Sequence, residues 1–413
     1  MTGLFGTDGI RSTDTQALCQ WGYQLGRALE GKSKVLVAKD NRPTSDKIAA
    51  SVMAGLRDAE VDILYGGIMP TPAVQYATVY HTADAGIVVT ASHNPPCYNG
   101  LKYVDADGRK PDAEMAERLS TALEAIRPVD AEYTPTVQDN LLKSYTRKFT
   151  RVGRLPLRVA VDCANGAGYP VVKHILSLHG AEGVYLHHGA GKQINHACGA
   201  TCPDLAGAGE VDMGFALDGD GDRCMLMTPK GRWVDGDGIL YLLALDSVRR
   251  GNPLREVVGT IMSNGALSSA LSALGGRLVR TDVGDGNVWA RMLRDGATLG
   301  GEPSGHILTE DGVSDGIGTG ILLMQMAMEC DLDEALAGWH PIPQCHTQCP
   351  RREDNLRRAL AAAEKWQDYL GGTGRVVVRP SGTESVLRIM AECPEESLAR
   401  TVAESIAQAA VKR

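Results

Sequence analysis

Short apolar runs alternate with stretches of helical period along most of the chain. Residues 34–38 (Lys-Val-Leu-Val-Ala) predict a strand, 46–60 a helix, 61–65 a strand, 71–80 a helix and 85–89 another strand. This βαβ rhythm restarts twice. Residues 157–162 precede a helical pattern over 169–178, and residues 256–261 precede one over 266–274. The last stretch differs: a charged helix over 351–370 leads into two strands, 375–378 and 386–390, and a terminal helix near 396–411. The pattern predicts three consecutive α/β domains and a smaller C-terminal α+β domain. Joints are expected near 145–155, near 236–239 and at Pro341-Ile342-Pro343, which sets the domains at 1–148, 149–237, 238–342 and 343–413.

Composition narrows the functional classes. The chain has 413 residues, 43% of them hydrophobic and 22% charged, and a net charge of −8. Broad attraction to nucleic acid or to an anionic membrane is not expected, so any phosphate binding must be local. No apolar stretch approaches the roughly 18 residues of a membrane span, and the chain opens without a basic leader, which makes the cytoplasm the expected compartment. The ten cysteines are scattered, with no zinc-ribbon spacing, and no disulfides are expected. Cys198 and Cys202 follow His187, His188 and His196, and Cys345 and Cys349 flank His346, so zinc is conceivable at either group; neither offers a C-x₂-C half-site.

The most informative loop is Asp218-Gly219-Asp220-Gly221-Asp222-Arg223, directly after the apolar run 213–217. Three carboxylates so close repel one another unless a hard divalent cation collects their oxygens, and the interleaved glycines let the backbone curl around it. An EF-hand requires Gly at the sixth position and Glu at the twelfth; Arg223 and Pro229 stand there. Magnesium is therefore expected. A phosphatase of the haloacid dehalogenase type shares the minimal Asp-x-Asp-Gly pattern of residues 218–221.

Other loops carry weaker signals singly. Ser92, in Thr90-Ala91-Ser92-His93-Asn94-Pro95, belongs at the carboxyl end of a buried strand, where its hydroxyl is a candidate nucleophile. Taken alone, that loop is better explained as a Ser/Asn/Pro turn. Lys102 follows in Asn99-Gly100-Leu101-Lys102, and Arg11 ends Gly6-Thr7-Asp8-Gly9-Ile10-Arg11 with a fork suited to phosphate. Glu302, Ser304 and His306, in a Gly- and Pro-containing loop over 300–306, could hydrogen-bond a ring of hydroxyls. Arg379, Ser381, Gly382 and Thr383 lie between two strands with Arg388 beyond, in the form of a phosphate cradle.

In this order and at these separations the loops resemble the α-D-phosphohexomutase superfamily, and residues 6–11 with Asp162-Cys163-Ala164-Asn165-Gly166 are most similar to its phosphoglucosamine branch. The resemblance covers essentially the whole chain and implies four domains around a central cleft. It implies that Ser92 carries a phosphoryl group, that Asp218, Asp220 and Asp222 hold one Mg2+ together with the phosphorylated Ser92, and that Glu302 and Ser304 contact the sugar. Arg379, Ser381, Gly382, Thr383 and Arg388 would hold the non-reacting phosphate. Arg11, His93, Lys102, Arg223 and His306 would line the reacting end, with Lys102 or His93 as general base and acid.

The implied reaction interconverts glucosamine 6-phosphate and glucosamine 1-phosphate, an isomerase step in aminosugar nucleotide supply, through a 1,6-bisphosphate that also serves as primer. The implied partner is a small phosphosugar, and the chain a monomer or homodimer. The phosphoglucosamine branch usually carries Gln where Pro303 stands, and a Pro there also occurs among glucose and mannose phosphomutases. Neutral hexose phosphates are thus an alternative substrate, and a non-catalytic phosphosugar sensor is the alternative of another class.

Overall fold

The structure, a computed structural model, describes residues 4–6, 8–124, 135–189, 191–381 and 385–412. Gly382 and Thr383 lie outside the described residues. The chain divides into two compact units, Met1–Ile239 with Ser304–Ala335, and Leu240–Pro303 with Leu336–Arg413.

The chain begins with β1 (Ile10–Ser12), α1 (Thr15–Arg27), β2 (Lys34–Lys39), α2 (Ser45–Asp58), β3 (Asp62–Ile68), α3 (Thr71–Tyr80), β4 (Ala85–Val89), β5 (Asn99–Asp105), α4 (Ala113–Leu123) and α5 (Asp139–Tyr145). Its first sheet runs β1-β5-β4-β2-β3. The continuous apolar runs of β2 and β4 are buried on both faces and pair in parallel, as expected for strands covered by helices. β5 turns back antiparallel to β4, with Lys102 opposite Val88. That register brings Lys102 to the same sheet end as the loop carrying Ser92. Leu25, Val52, Leu56, Ile87 and Leu101 belong to the core of this sheet.

A second sheet follows from β6 (Arg158–Asp162), α6 (Tyr169–Leu178), β7 (Glu182–Leu186), β8 (Met213–Leu217), β9 (Cys224–Met227) and β10 (Trp233–Val234), in the order β10-β9-β8-β6-β7. β6 and β8 are parallel, and β9 returns antiparallel with Cys224 opposite Leu217. The turn between β8 and β9 is therefore the acidic loop itself.

α7 (Gly236–Arg249) begins within residues 236–239, where the sequence places a domain joint, and the first stretch of the first unit ends at Ile239. Glycines in a first turn cost little, and Asp235 Oδ1 accepts a hydrogen bond from the Gly238 N–H at 3.0 Å. The second unit then builds β11 (Glu256–Thr260), α8 (Gly265–Ala273), β12 (Arg277–Thr281), α9 (Asp285–Asp295) and β13 (Gly300–Gly301), with β11 parallel to β12 and β13. The chain re-enters the first unit with β14 (Ile307–Leu308), α10 (Gly316–Ala327) and α11 (Leu332–Ala335).

The remainder of the second unit comprises β15 (Gln344–Pro350), α12 (Glu353–Leu370), β16 (Arg375–Pro380), β17 (Val386–Glu392) and α13 (Glu396–Val411). Three antiparallel strands, ordered β15-β17-β16, replace the two predicted. β15 escapes the sequence pattern because Gln344-Cys345-His346-Thr347-Gln348-Cys349-Pro350 is polar and edge-lying, with only Cys349 fully buried among its side chains.

An ion pair stitches this last domain to the helix α8 region. Arg375 Nε donates to Glu392 Oε1 at 2.8 Å, Nη2 to Oε2 at 3.1 Å, and Nη1 and Nη2 reach the carbonyls of Ile261 and Ser263 at 2.6 Å. Burial pushes the Glu392 carboxyl up, but hydrogen bonds from Arg375 and Gln344 outweigh it and hold it below its ordinary range. A depressed folded-state pKa stabilises the fold above the unfolded carboxylate value, and the contribution is lost as pH falls through the folded one. Glu392→Gln should therefore cost about 2 kcal/mol near neutrality. The deficit should shrink on acidification, read by urea unfolding at pH 7 and pH 4. An equal deficit at both pH values would refute the ionic contribution.

Candidate active site

The loop after β8 folds its carboxylates inward. Asp218, Asp220 and Asp222 are essentially inaccessible to solvent, and one oxygen from each lies within 4.8 Å of the others. Asp218 Oδ1 accepts from the backbone N–H groups of Asp222 (3.1 Å) and Arg223 (3.2 Å), which closes the turn. Gly221 supplies the left-handed conformation, φ +71°, that the curl requires. Asp220 Oδ1 and Asp222 Oδ1 are buried without a hydrogen-bond partner among the described residues.

The electrostatics of this loop are short of positive charge. Burial, then the charges of Asp222 and Asp220, push the Asp218 carboxyl well above its ordinary range. Burial also pushes Asp222 up, but the Lys102 charge above all holds it well below. One ammonium, Lys102 Nζ, thus serves two of the three carboxylates. Two orphaned carboxylate oxygens in an all-oxygen donor set fit a hard divalent cation.

Ser92 follows β4 and sits against this loop. Its Oγ donates to Asp218 Oδ2 at 2.8 Å and lies 3.4 Å from His93 Nδ1. Lys102 Nζ bridges Asp220 Oδ2 at 2.6 Å and Asp222 Oδ2 at 2.9 Å; burial alone would lower its pKa, but the two carboxylates raise it above the usual lysine value. His93 is held neutral: burial, then Arg223 and Arg11, push its pKa down to about 2. Arg11, on β1, donates through Nη1 to Asn94 Oδ1 at 2.8 Å.

Arg223 Nε donates to His306 Nε2 at 3.0 Å. Guanidinium has no acceptor, so Nε2 is the unprotonated nitrogen and Nδ1 carries the hydrogen. Nδ1 meets Ser314 Oγ at 2.8 Å, which in turn donates to the Asp222 carbonyl at 2.9 Å. The chain fixes both the tautomer of His306 and the direction of Arg223. Arg11, Ser92, His93, Lys102, the three aspartates, Arg223 and His306 are thus gathered in the first unit, as is Ser304 between β13 and β14.

The second unit carries the other group. Arg379 on β16 lies directly opposite Arg388 on β17. Burial and the Arg388 charge lower the Arg379 pKa, Glu302 opposes them, and Arg379 Nε has no hydrogen-bond partner among the described residues. Two neighbouring guanidiniums concentrate positive charge at this place on the sheet. Ser381 is buried and donates its N–H to the Val386 carbonyl at 2.9 Å. Glu302 Oε1 accepts from the Gly284 N–H at 2.9 Å.

The conceivable zinc groups do not assemble: the aspartate triple is the one candidate metal cluster among the described residues. On β15, Cys345 and Cys349 share the face that packs into the apolar core while His346, one residue on, projects from the other. Cys198 is buried and Cys202 exposed, and all ten cysteines are free thiols.

Several residues at the site carry no sequence signal. Thr71, at the start of α3, donates Oγ1 to Asp220 Oδ2 at 2.5 Å and its N–H to the Asp220 carbonyl at 2.8 Å. Lys110 pairs with Asp8 and adds positive potential at Lys102 and Asp222. The His346 pKa is lowered by burial and by the Arg379 charge. Asn195 and Arg42 converge on the Ser92 backbone. Of these, Asp8 stands in the Gly-Thr-Asp-Gly-Ile-Arg motif and His346 beside Cys345 and Cys349; the others stand in no motif.

Fold and site together define the class: an α/β phosphotransferase with a buried serine hydroxyl beside a buried carboxylate loop. The chain matches the phosphoglucomutase/phosphomannomutase α/β/α domains I, II and III over residues 2–130, 131–231 and 235–341, and the C-terminal domain over 347–409. It is 39% identical to the phosphoglucosamine mutase of Moorella thermoacetica, over 96% of this chain and 96% of that one. A crystal structure of a phosphoglucomutase/phosphomannomutase family protein from Burkholderia thailandensis superposes with TM-score 0.79 at 24% identity, covering 98% and 97% of the two chains. That of Aspergillus fumigatus N-acetylphosphoglucosamine mutase in complex with GlcNAc-6P and magnesium gives TM-score 0.70 at 18% identity, covering 98% and 95%. The chain belongs to the phosphoglucomutase/phosphomannomutase family, and it is a phosphosugar mutase. No helix among the described residues is long and apolar enough to cross a membrane.

Proposed function

We propose that the protein interconverts glucosamine 6-phosphate and glucosamine 1-phosphate by way of phospho-Ser92 and a bound 1,6-bisphosphate, with a hexose 1,6-bisphosphate as primer. The reading rests above all on Ser92 Oγ, held 2.8 Å from Asp218 within the buried carboxylate loop. It is supported by the substrate class named for the 39%-identical Moorella relative.

Asp218, Asp220 and Asp222, with the phosphoryl oxygens on Ser92, are the ligands we assign to Mg2+. When bound, the ion supplies positive charge for the oxygens of the transferring group. The protein's own residues do the rest by position and charge. A free sugar hydroxyl forms its bond to the phosphorus of phospho-Ser92 as the bond to Oγ breaks. His93, beside Ser92 Oγ, and Lys102, between Asp220 and Asp222, are the groups we assign to moving the hydroxyl proton to Oγ. Arg11 and Arg223 offset charge at this end. Arg379 and Arg388 are the groups we assign to the distant phosphate, so that turning the bisphosphate end for end presents its other phosphoryl group to Ser92.

The deciding assay supplies Mg2+ and a catalytic hexose 1,6-bisphosphate, and compares glucosamine, glucose and mannose 6-phosphates. We expect kcat/KM to favour the amino sugar by about tenfold or more, in line with the substrate named for the Moorella relative. Faster turnover of a neutral hexose would overturn the assignment and make Pro303 a mark of substrate choice.

A further inference from the structure

Ser92 adopts a left-handed backbone conformation, φ +49°, which an L-residue holds only when its surroundings impose it. Those surroundings are specific. The Ser92 N–H donates to Thr90 Oγ1 at 2.9 Å, and Thr90 Oγ1 donates to Asp40 Oδ2 at 2.8 Å. The Ser92 carbonyl accepts from Arg42 Nη2 at 2.8 Å and from Asn195 Nδ2 at 2.7 Å. A Cβ on Gly219 of the acidic loop would fall 2.6 Å from the same oxygen, so that side is closed as well.

Arg42 is 1% exposed, and all five of its N–H groups are consumed. Nε donates to Asp40 Oδ2 at 2.8 Å, Nη1 to the carbonyls of Pro95 and Tyr98 at 2.7 and 2.8 Å, and Nη2 to those of Ser92 and Asn94, both at 2.8 Å. A cation so close to a phosphoryl acceptor invites a phosphate-binding role, but no donor is left for a phosphate, and Asp40 neutralises its charge. Its function is exhausted in four carbonyls of one loop. Asn195, from the loop after β7, grips two of those four, the carbonyls of Ser92 and Asn94.

We infer that Arg42 and Asn195 are positioning residues: acting from two different domains on the Ser92 carbonyl, they impose the left-handed turn that aims Oγ at Asp218. The inference rests on the reading of Ser92 as phosphoryl carrier. It separates geometry from binding. Neither side chain has a donor in hand for the sugar phosphate through the bonds described, so loosening them displaces Oγ and slows transfer without weakening substrate capture.

The test compares wild type, Asn195→Ala and Arg42→Lys. Lysine keeps the charge but cannot span four carbonyls and a carboxylate. Turnover, KM, thermal unfolding and the ³¹P resonance of phospho-Ser92 are measured on each. We expect kcat to fall roughly tenfold in Asn195→Ala and on the order of a hundredfold in Arg42→Lys, with KM within about twofold and a shifted or broadened phosphoserine signal. If Arg42→Lys does not fold, Asn195→Ala decides. Wild-type kcat per folded molecule in Asn195→Ala, or a kcat loss matched by a rise in KM, overturns the inference alone. A wild-type chain that accepts no phosphoryl group from the bisphosphate overturns the reading beneath it as well.

Discussion

Ser92→Ala should reduce phosphosugar turnover by on the order of 10⁴-fold or more, because in the proposed mechanism it removes the atom that carries the phosphoryl group between half-reactions. The change is confined to chemistry. Alanine keeps the Cβ, and the backbone bonds to Thr90, Arg42 and Asn195 do not involve Oγ. The lost hydrogen bond is the one to Asp218, whose raised pKa already marks it as short of compensation. Thermal unfolding should therefore stay close to wild type, within about 1 kcal/mol. Intact-mass measurement after incubation with hexose 1,6-bisphosphate should show one phosphoryl group on the wild type and none on the variant. Retention of more than a hundredth of wild-type turnover would mean that the phosphoryl group passes between sugars without resting on Ser92.

The aspartate loop and the Ser92 loop were legible in sequence because each packs its chemistry into six consecutive residues behind an apolar strand. Spacing alone then sets the geometry: Leu217 pairs with Cys224, and what lies between must turn. The positioning residues were illegible for the opposite reason. Arg42 and Asn195 reach the Ser92 carbonyl from 50 positions before it and 103 positions after it. Neither stands in a motif whose composition demands a partner. Thr71 is similar, an ordinary first residue of a helix until the fold lays it against Asp220. At 236–239 glycine and aspartate signal both a loop and a helix start, and Asp235 with its bond to Gly238 marks the helix start.

Asp220→Ala should lower turnover by on the order of 10³-fold and abolish stabilisation by magnesium, while leaving the metal-free fold nearly as stable as before. The two effects diverge for a reason visible in the charges. Asp220 takes hydrogen bonds from Lys102 and Thr71 on one oxygen, and those are lost; but Lys102 keeps Asp222 at 2.9 Å, and the loop sheds one of three mutually repelling carboxylates. Gains and losses nearly cancel in the apo protein. They do not cancel once a divalent ion must be held, since two carboxylates and an alanine leave a gap in its oxygen shell. Calorimetric titration with Mg2+ and the shift of unfolding temperature with Mg2+ should both report the loss. The same variant separates an enzyme from a phosphosugar sensor. A sensor binds its ligand through Arg379 and Arg388 and needs no transfer centre, so Asp220→Ala would leave its response to phosphosugar unchanged and no wild-type turnover would exist to lose. A mutase should instead keep its affinity for the phosphosugar, lose its rate, and lose it in proportion to the magnesium it can no longer hold.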